Sequence, residues 1–500
     1  MGARSGVGRL LIWGLAVGAV SGCVPPEPER SRPVERAVWI ERIGEAVDHD
    51  QEHALRRIGP QYVFLKIGNL DVAGDRLTWA SEPAFPISPP PSKCVLVIGG
   101  TERLVESFDR FADVSLAEQM ATFVRDALDR AKRRGLSCSG VHLDILPRGL
   151  LRHYGRVLRR LRARMPGPVT LSATIPVAWE RDPSVSDLVR QLDFSLVRMV
   201  SEEEPQDLTA IRASVDVREI GPCIRRFERF GIPFYIEGRA EGRCVLLDAS
   251  SRVVSALGDI TPWQLIRGLG FRCVESYPLG IAEARMRVPT DFSGEYVVVL
   301  AARRTSRVGG YIVQPGERIA CRLPTARVLR RQIEAIEVAA SPWRRGYSLW
   351  LSGIREGQDL PVTQIALLVR GGSLEPRITV KGEITGSSLL VRVENVGMQE
   401  SALQPRAVEV RLRVQGARIH GVDPGDFVEV VREPSGKGAS SSVHLTLYAD
   451  GIRQGETLRA AVRIARRIGS VRVFASSRVR DPDDFVTLLG PEVGIAAIPQ

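Results

Sequence analysis

Two acidic residues stand near the ends of short apolar runs that alternate as strands do: Asp144 in Gly140-Val141-His142-Leu143-Asp144-Ile145, and Glu237 in Pro233-Phe234-Tyr235-Ile236-Glu237. Successive side chains of a strand point to opposite faces. Val141, Leu143 and Ile145 therefore share one side, and His142 and Asp144 share the other. Phe234 and Ile236 likewise oppose Tyr235 and Glu237. The run 169–177 repeats the logic, with Thr170, Ser172 and Thr174 opposite Leu171, Ala173 and Ile175. If the apolar sides pack under helices, both acids project into one opening. Two carboxylates across an opening are what cleavage of a glycosidic bond requires: one protonates the leaving oxygen, the other acts as nucleophile or activates water. Asp144 and Glu237 are thus the candidate catalytic pair; the competing role for each is to bind an arginine or cap a loop.

Other residues fall at comparable strand ends. Trp39, Glu41, Lys66, Asn69, Trp179 and Arg198 are candidate substrate-binding residues. Trp39 and Trp179 offer aromatic faces to a sugar ring, or else pack beneath a loop. Lys66 and Arg198 suit acidic sugars or neutralisation of the rim acids, and neutralisation is the preferred reading. His49 and His53 are four apart on an expected helix, but no carboxylate is evidently aimed at them, and no metal site or cofactor is expected. Gly99-Gly100 reads as a turn after a strand rather than a phosphate-cradling loop, and no Gly-x-Ser-x-Gly elbow occurs.

The elements that must position these residues alternate strand-type and helix-type runs from 36 to about 337. Strands are expected at 37–40, 62–67, 94–98, 140–145, 169–177, 194–200, 233–237 and 310–314. The clearest helix is 116–134, where Leu116, Met120, Phe123, Ala127 and Ala131 recur at helical spacing. Ser115 and Glu118 have capping-box spacing, and Gly135 suits the C-terminus. Further helices are expected near 150–165 and 217–230. Repeated strand–helix units imply a parallel sheet, and eight suit a closed (β/α)8 TIM barrel, whose working residues lie at the C-terminal strand ends. Residues 244–306 read as an insertion between strands seven and eight, with 272–277 as the rival for the eighth strand. After a connector at 338–369, six alternating segments punctuated by Gly, Pro, Asn and Asp predict an all-β, immunoglobulin-like sandwich over 370–500.

The N-terminus carries Arg4 and Arg9 without an acid, then an apolar run at 10–20 that is too short to span a bilayer. It ends Val20-Ser21-Gly22-Cys23. This pattern describes an export signal over 1–22, and its end resembles the lipobox of bacterial lipoproteins, in which Cys23 is acylated. Val24 in place of aspartate implies outer-membrane sorting, facing the periplasm or the cell surface. The Pro- and charge-rich stretch 23–35 reads as a tether. The chain of 500 residues has a formal charge of +11, almost all from arginine. No dense basic block with interleaved aromatics accompanies it, so nucleic acid is not an expected partner. Six cysteines follow Cys23, at spacings that fit no zinc pattern. Export permits disulfides without selecting a pairing; Cys94 and Cys138 are expected to neighbour one another, and buried free thiols are equally compatible.

The segments Val38-Trp39-Ile40, 70–77, Gly140-Val141-His142-Leu143-Asp144, 154–166 and Leu171-Ser172-Ala173-Thr174 together resemble an uncharacterised bacterial lipoprotein family with a glycoside-hydrolase-like TIM barrel (domain of unknown function 3142). The resemblance spans roughly residues 36–337. It implies a barrel akin to chitinase-like hydrolases, with Asp144 matching the acid at the end of the fourth strand. Chitinase-like enzymes end that strand region with a catalytic Glu, whereas here Asp144 is followed by Ile-Leu-Pro-Arg. Three readings follow: a glycoside hydrolase, a non-catalytic glycan-binding envelope protein, or a protein scaffold tethered to the membrane through Cys23.

Overall fold

The computed structural model describes residues 33–41, 49–86, 90, 92–147, 149–200, 205–240, 242–258, 260–280, 292–351, 360–433, 442–466 and 470–498. The expected export signal and Cys23 lie outside them. Eight parallel strands close into a ring: Glu35–Ile40, Tyr62–Ala73, Lys93–Gly100, Cys138–Asp144, Thr170–Pro176, Phe194–Arg198, Phe234–Gly238 and Arg344–Leu351. Each pairs with the next, and the first pairs with both the second and the eighth, so no edge remains. The architecture is a (β/α)8 barrel.

The first seven strands lie where alternation places them, but the eighth does not. Residues 310–314 hold one arm of a small hairpin, Tyr311–Val313 against Ser306–Val308. The rival 272–277 lies in Phe271–Gly280, the edge of a separate antiparallel sheet. The closing strand is Arg344–Leu351, inside the stretch read as a connector. Its sequence opens Arg-Arg-Gly and hides a plain pattern: Tyr347, Leu349 and Leu351 pack outwards under the helices. Gly346 is required because a Cβ there would lie 1.8 Å from the Glu35 carbonyl oxygen, so only glycine lets the first and last strands meet. The buried Arg344 donates to the Ile336 and Ala339 carbonyls, closing off the C-terminal end of helix Ala326–Val338.

The long helix runs Asp113–Arg133. Ser115 lies inside it rather than at its cap; the cap position is Ala112, which makes no side-chain bond, and Ser115 instead accepts from Gln119 at 3.2 Å. The C-terminal expectation holds: Gly135 takes φ +74°, and Leu136 N–H returns to the Ala131 carbonyl at 3.0 Å.

Between strand seven and helix Ala326–Val338 the chain builds a five-stranded antiparallel sheet from Arg243–Leu247, Val253–Leu257, Phe271–Gly280, Phe292–Ala302 and Arg318–Pro324. Cys244 and Cys321 face each other across two of these strands and form a disulfide. Cys94 and Cys138 are register partners on barrel strands three and four, with sulfurs 3.4 Å apart. Beyond helix Val362–Val369, a four-stranded and a six-stranded antiparallel sheet enclose one core. All six segments expected there are strands, joined by Ala417–Asp423, Glu429–Glu433, Thr487–Leu489 and Val493–Ile498.

The disulfide cross-links residues separated by 77 positions. Replacing both Cys244 and Cys321 by serine should lower unfolding free energy by about 2–4 kcal/mol, chiefly by freeing the unfolded chain. Denaturant titration of the variant against the oxidised protein checks this; equal midpoints would refute it.

Candidate functional site

The lumen is filled from the bottom upward. Tyr62, Phe64, Val95, Val97, Phe194, Leu196 and Tyr235 pack with Ala37 and Trp39 in an inner core distinct from the layer beneath the helices. At the N-terminal end Arg345 stacks over Tyr62, Phe194 and Tyr235 and pairs with Glu35. Higher up, His142 is completely buried, its two ring nitrogens bonded to the Ser172 and Thr174 hydroxyls at 2.9 Å each. Burial pushes its pKa down to about 3, so the ring is neutral.

At the C-terminal end the expected inward acids are both present, and both are paired. Asp144 accepts from Arg198 Nη2 at 3.0 Å and from Lys66 Nζ at 3.3 Å. Glu237 accepts from the same arginine, through Nε, at 2.9 Å. Lys66 continues to Glu41 at 3.2 Å, and Arg239 approaches Glu237 at 3.6 Å. Three acids and three bases thus alternate across the mouth, in the order Glu41, Lys66, Asp144, Arg198, Glu237, Arg239. Burial alone would raise the Asp144 carboxyl, but the adjacent charges of Arg198 and Lys66 outweigh it and hold the group well below the usual carboxylate range. The Thr174 hydroxyl, bonded to the carboxylate, adds to this.

The remaining candidates divide. Lys66, Glu41 and Arg198 join the network. Trp39 is fully buried, donates Nε1–H to Glu41 at 2.9 Å and stacks on Trp350 at 4.8 Å, so it offers no face to a ligand. Trp179 is half-buried against the outer core under the helices, away from the lumen cluster. Asn69 and Lys66 cross above Gly99, where a Cβ would lie 2.1 Å from Asn69 Oδ1 and 2.7 Å from Lys66 Cε. Two residues escape the sequence reading. Trp350 lies under the Arg239 and Arg198 guanidinium groups at 4.4 and 5.6 Å. Arg239 follows strand seven directly. Trp350 would have emerged from the alternation had Arg344–Leu351 been recognised as the eighth strand, and Arg239 continues the inward series Tyr235, Glu237 of strand seven. Among the described residues no group of three or more His, Cys, Asp or Glu side chains is placed to hold a metal ion, and no helix is long and apolar enough to cross a membrane.

No protein-family model matches the chain, and a search of curated proteins returns no match. Solved structures similar in fold include a chitinase from Chromobacterium violaceum, at 12% identity and TM-score 0.41 over 67% of this chain and 98% of that one. The spore cortex-lytic enzyme SleL of Bacillus cereus is 14% identical with TM-score 0.42, over 69% and 75% of the two chains. Human YKL-39, described as a pseudo-chitinase that retains chitooligosaccharide binding, is 10% identical with TM-score 0.40, over 68% and 100%.

Arg198 decides the electrostatics of the mouth. In the native protein the depressed Asp144 ionisation contributes stability that is full above about pH 4 and is lost only as pH falls through its lower folded value. Arg198→Met leaves buried carboxylates under-compensated and should cost about 3–5 kcal/mol. Burial then dominates, so the variant should gain stability as pH falls from 7 to 5. Thermal melts across that range test both statements; a variant with native pH dependence would show that Arg198 does not control these acids.

Proposed function

We propose that this chain is a non-hydrolytic glycan-recognition protein of the bacterial cell envelope, tethered to a membrane by lipid on Cys23. The observation that carries the non-hydrolytic part is Arg198 bridging Asp144 and Glu237. Glycosidic cleavage needs one carboxyl that holds a proton near neutrality and a second that is free to attack or to activate water. Here one guanidinium occupies both acids, and Asp144 is kept ionised by two cations. A group held as a carboxylate cannot protonate a leaving oxygen. The acid that would follow Asp144 in a chitinase-like site is replaced by Ile145-Leu146-Pro147-Arg148.

Recognition without turnover uses the same groups differently. Barrels of this class present ligand contacts at the C-terminal strand ends. There Glu41, Lys66 and Arg239, all partly exposed, form a hydrogen-bonding rim suited to sugar hydroxyls. The disulfide of the inserted sheet suits an oxidising compartment, and the basic–apolar–Cys23 leader suits export and lipidation.

The decisive experiment is a glycan array with the mature chain, followed by reducing-end assays on each glycan bound. Saturable binding without product is expected, and Asp144→Asn should leave product formation at background. Turnover that disappears in Asp144→Asn or Glu237→Gln, with folding verified by circular dichroism, would overturn the proposal. Separately, Cys23→Ser should move the protein from the membrane to the soluble fraction; persistence in membranes at high salt would place the anchor elsewhere.

A further inference from the structure

The eight barrel strands are parallel, so all of them start on one face, opposite the mouth. The chain enters the barrel on that face, at Glu35–Ile40. A run of bonds holds the starts of the first four strands together. Arg36 N–H donates to Gln61 Oε1 at 2.6 Å, and Gln61 N–H to the Arg36 carbonyl at 2.8 Å. The Ser92 hydroxyl donates to the Pro60 carbonyl at 2.6 Å, and Cys94 N–H to the Ser137 carbonyl at 3.2 Å. Exposed bases border these starts. Arg57 lies in the last turn of helix His49–Ile58, Lys132 and Arg133 end helix Asp113–Arg133, and Lys93 opens strand three. Arg370, which caps helix Val362–Val369, donates through Nε to the Arg57 carbonyl at 3.1 Å and so joins the same face.

Arg57, Lys93, Lys132, Arg133 and Arg370 make no ion pair with any described acid. Nearby acids are engaged: Glu35 by Arg345 and the Tyr235 hydroxyl, and Glu82 by Arg130. Asp129, exposed one turn before Lys132 and Arg133, is a single counter-charge and is in no ion pair among the described residues. A cation in the last turn of a helix complements the helix dipole. That accounts for one base at each helix end; it leaves Lys93, which lies on a strand, and the doubling at Lys132 and Arg133. The mouth is built differently, since acids and bases alternate and pair there. One end of the barrel is thus balanced in charge, and the other carries a positive excess in water.

We propose that the face where the barrel strands start rests on an anionic phospholipid surface. The chain delivers it there. Cys23 lies twelve residues before Glu35, where strand one begins on this face. At full extension that length spans at most about 40 Å. A lipid anchor holds firmly when a basic patch acts with it, and each Lys or Arg close to an anionic bilayer is attracted to it. The choice of a membrane as the occupant rests on the lipidation of Cys23 proposed above; the positive excess stands without it. The consequence is an orientation. With the strand starts on the bilayer, the opposite strand ends, bearing Glu41, Lys66 and Arg239, point away from it and stay open to glycan.

The test is co-sedimentation of the mature chain carrying Cys23→Ser, which has no lipid, with vesicles of phosphatidylcholine alone or mixed equally with phosphatidylglycerol. Binding to the mixed vesicles at low salt, release at high salt and no binding to phosphatidylcholine are expected. Replacing Arg57, Lys132 and Arg133 together by glutamine should weaken binding at least about tenfold. Replacing Arg418, Arg432 and Arg472 of the sandwich by glutamine removes the same charge from exposed positions elsewhere and should leave binding unchanged. Circular dichroism verifies folding of both variants. Equal binding to the two kinds of vesicle, or equal losses in the two triple variants, overturns the proposal. Soluble polygalacturonate bound as tightly as the mixed vesicles, and lost in the first variant, overturns the membrane assignment in favour of an acidic glycan. The tether is read separately, by mass spectrometry of Cys23 in the unmutated chain: an unmodified Cys23 with vesicle binding intact removes the tether and leaves this face standing, and an acylated Cys23 without vesicle binding does the opposite.

Discussion

A single buried cation organises the barrel mouth. Arg198 is 6% exposed and stands between Asp144 and Glu237, a few ångströms from each. Taking three charges out of water is tolerable only when each finds an opposite partner and hydrogen bonds of good geometry. The lumen meets the pairing part of this condition by extending the alternation to Glu41, Lys66 and Arg239, so that every acid has a base within 4 Å, although Glu237 Oε1, 3.6 Å from Arg239 Nη1, makes no hydrogen bond. The guanidinium that makes two carboxylates admissible in an apolar lumen also helps to keep Asp144 ionised, together with Lys66.

Small and neutral residues make room for that network. Gly99 leaves the space that Lys66 and Asn69 cross. His142, directly beneath Asp144 on the same strand, is neutral and satisfied by two hydroxyls, so it adds no fourth positive charge to the stack. At the other end Gly346 allows the first and last strands to approach, while Arg345 and Glu35 close the base with a second ion pair. The barrel is therefore a packed core with a charged plug at each end, as expected of an eight-stranded ring whose interior is just filled by side chains.

The sandwich is bonded mainly to the inserted sheet. Arg267 reaches Glu456 and the Gly451 carbonyl, both at 2.7 Å, Asp450 accepts the Cys273 N–H at 3.0 Å, and the Tyr296 hydroxyl accepts the Leu403 N–H at 3.2 Å. Leu403 and Phe485 enter the core of the inserted sheet. A smaller contact, from Gln364 to Glu400 and Gln454, ties the last barrel helix to the same region. One face of the insertion thus supports the sandwich, and the other meets the loop after strand six.

Much of this was legible in the residues. Seven barrel strands, their inward and outward faces, the six expected sandwich segments and the inward aim of Asp144 and Glu237 follow from a two-residue period, which is a property of the local chain. The eighth strand was not legible, because Arg344-Arg345-Gly346 reads as polar and its function depends on partners that only the ring supplies: helix-end carbonyls for Arg344, aromatic faces for Arg345 and the backbone of strand one for Gly346. Trp39 and Trp179 looked alike in sequence and were separated only by packing, one into the lumen and one beneath the helices. By itself, then, the sequence determined which side chains face inward, since the pleat acts over neighbouring residues. Only the tertiary structure decided that Arg198 would span two acids that lie 54 and 39 positions from it along the chain, because ion pairing depends on distance in space and on the exclusion of water, which closure of the ring creates.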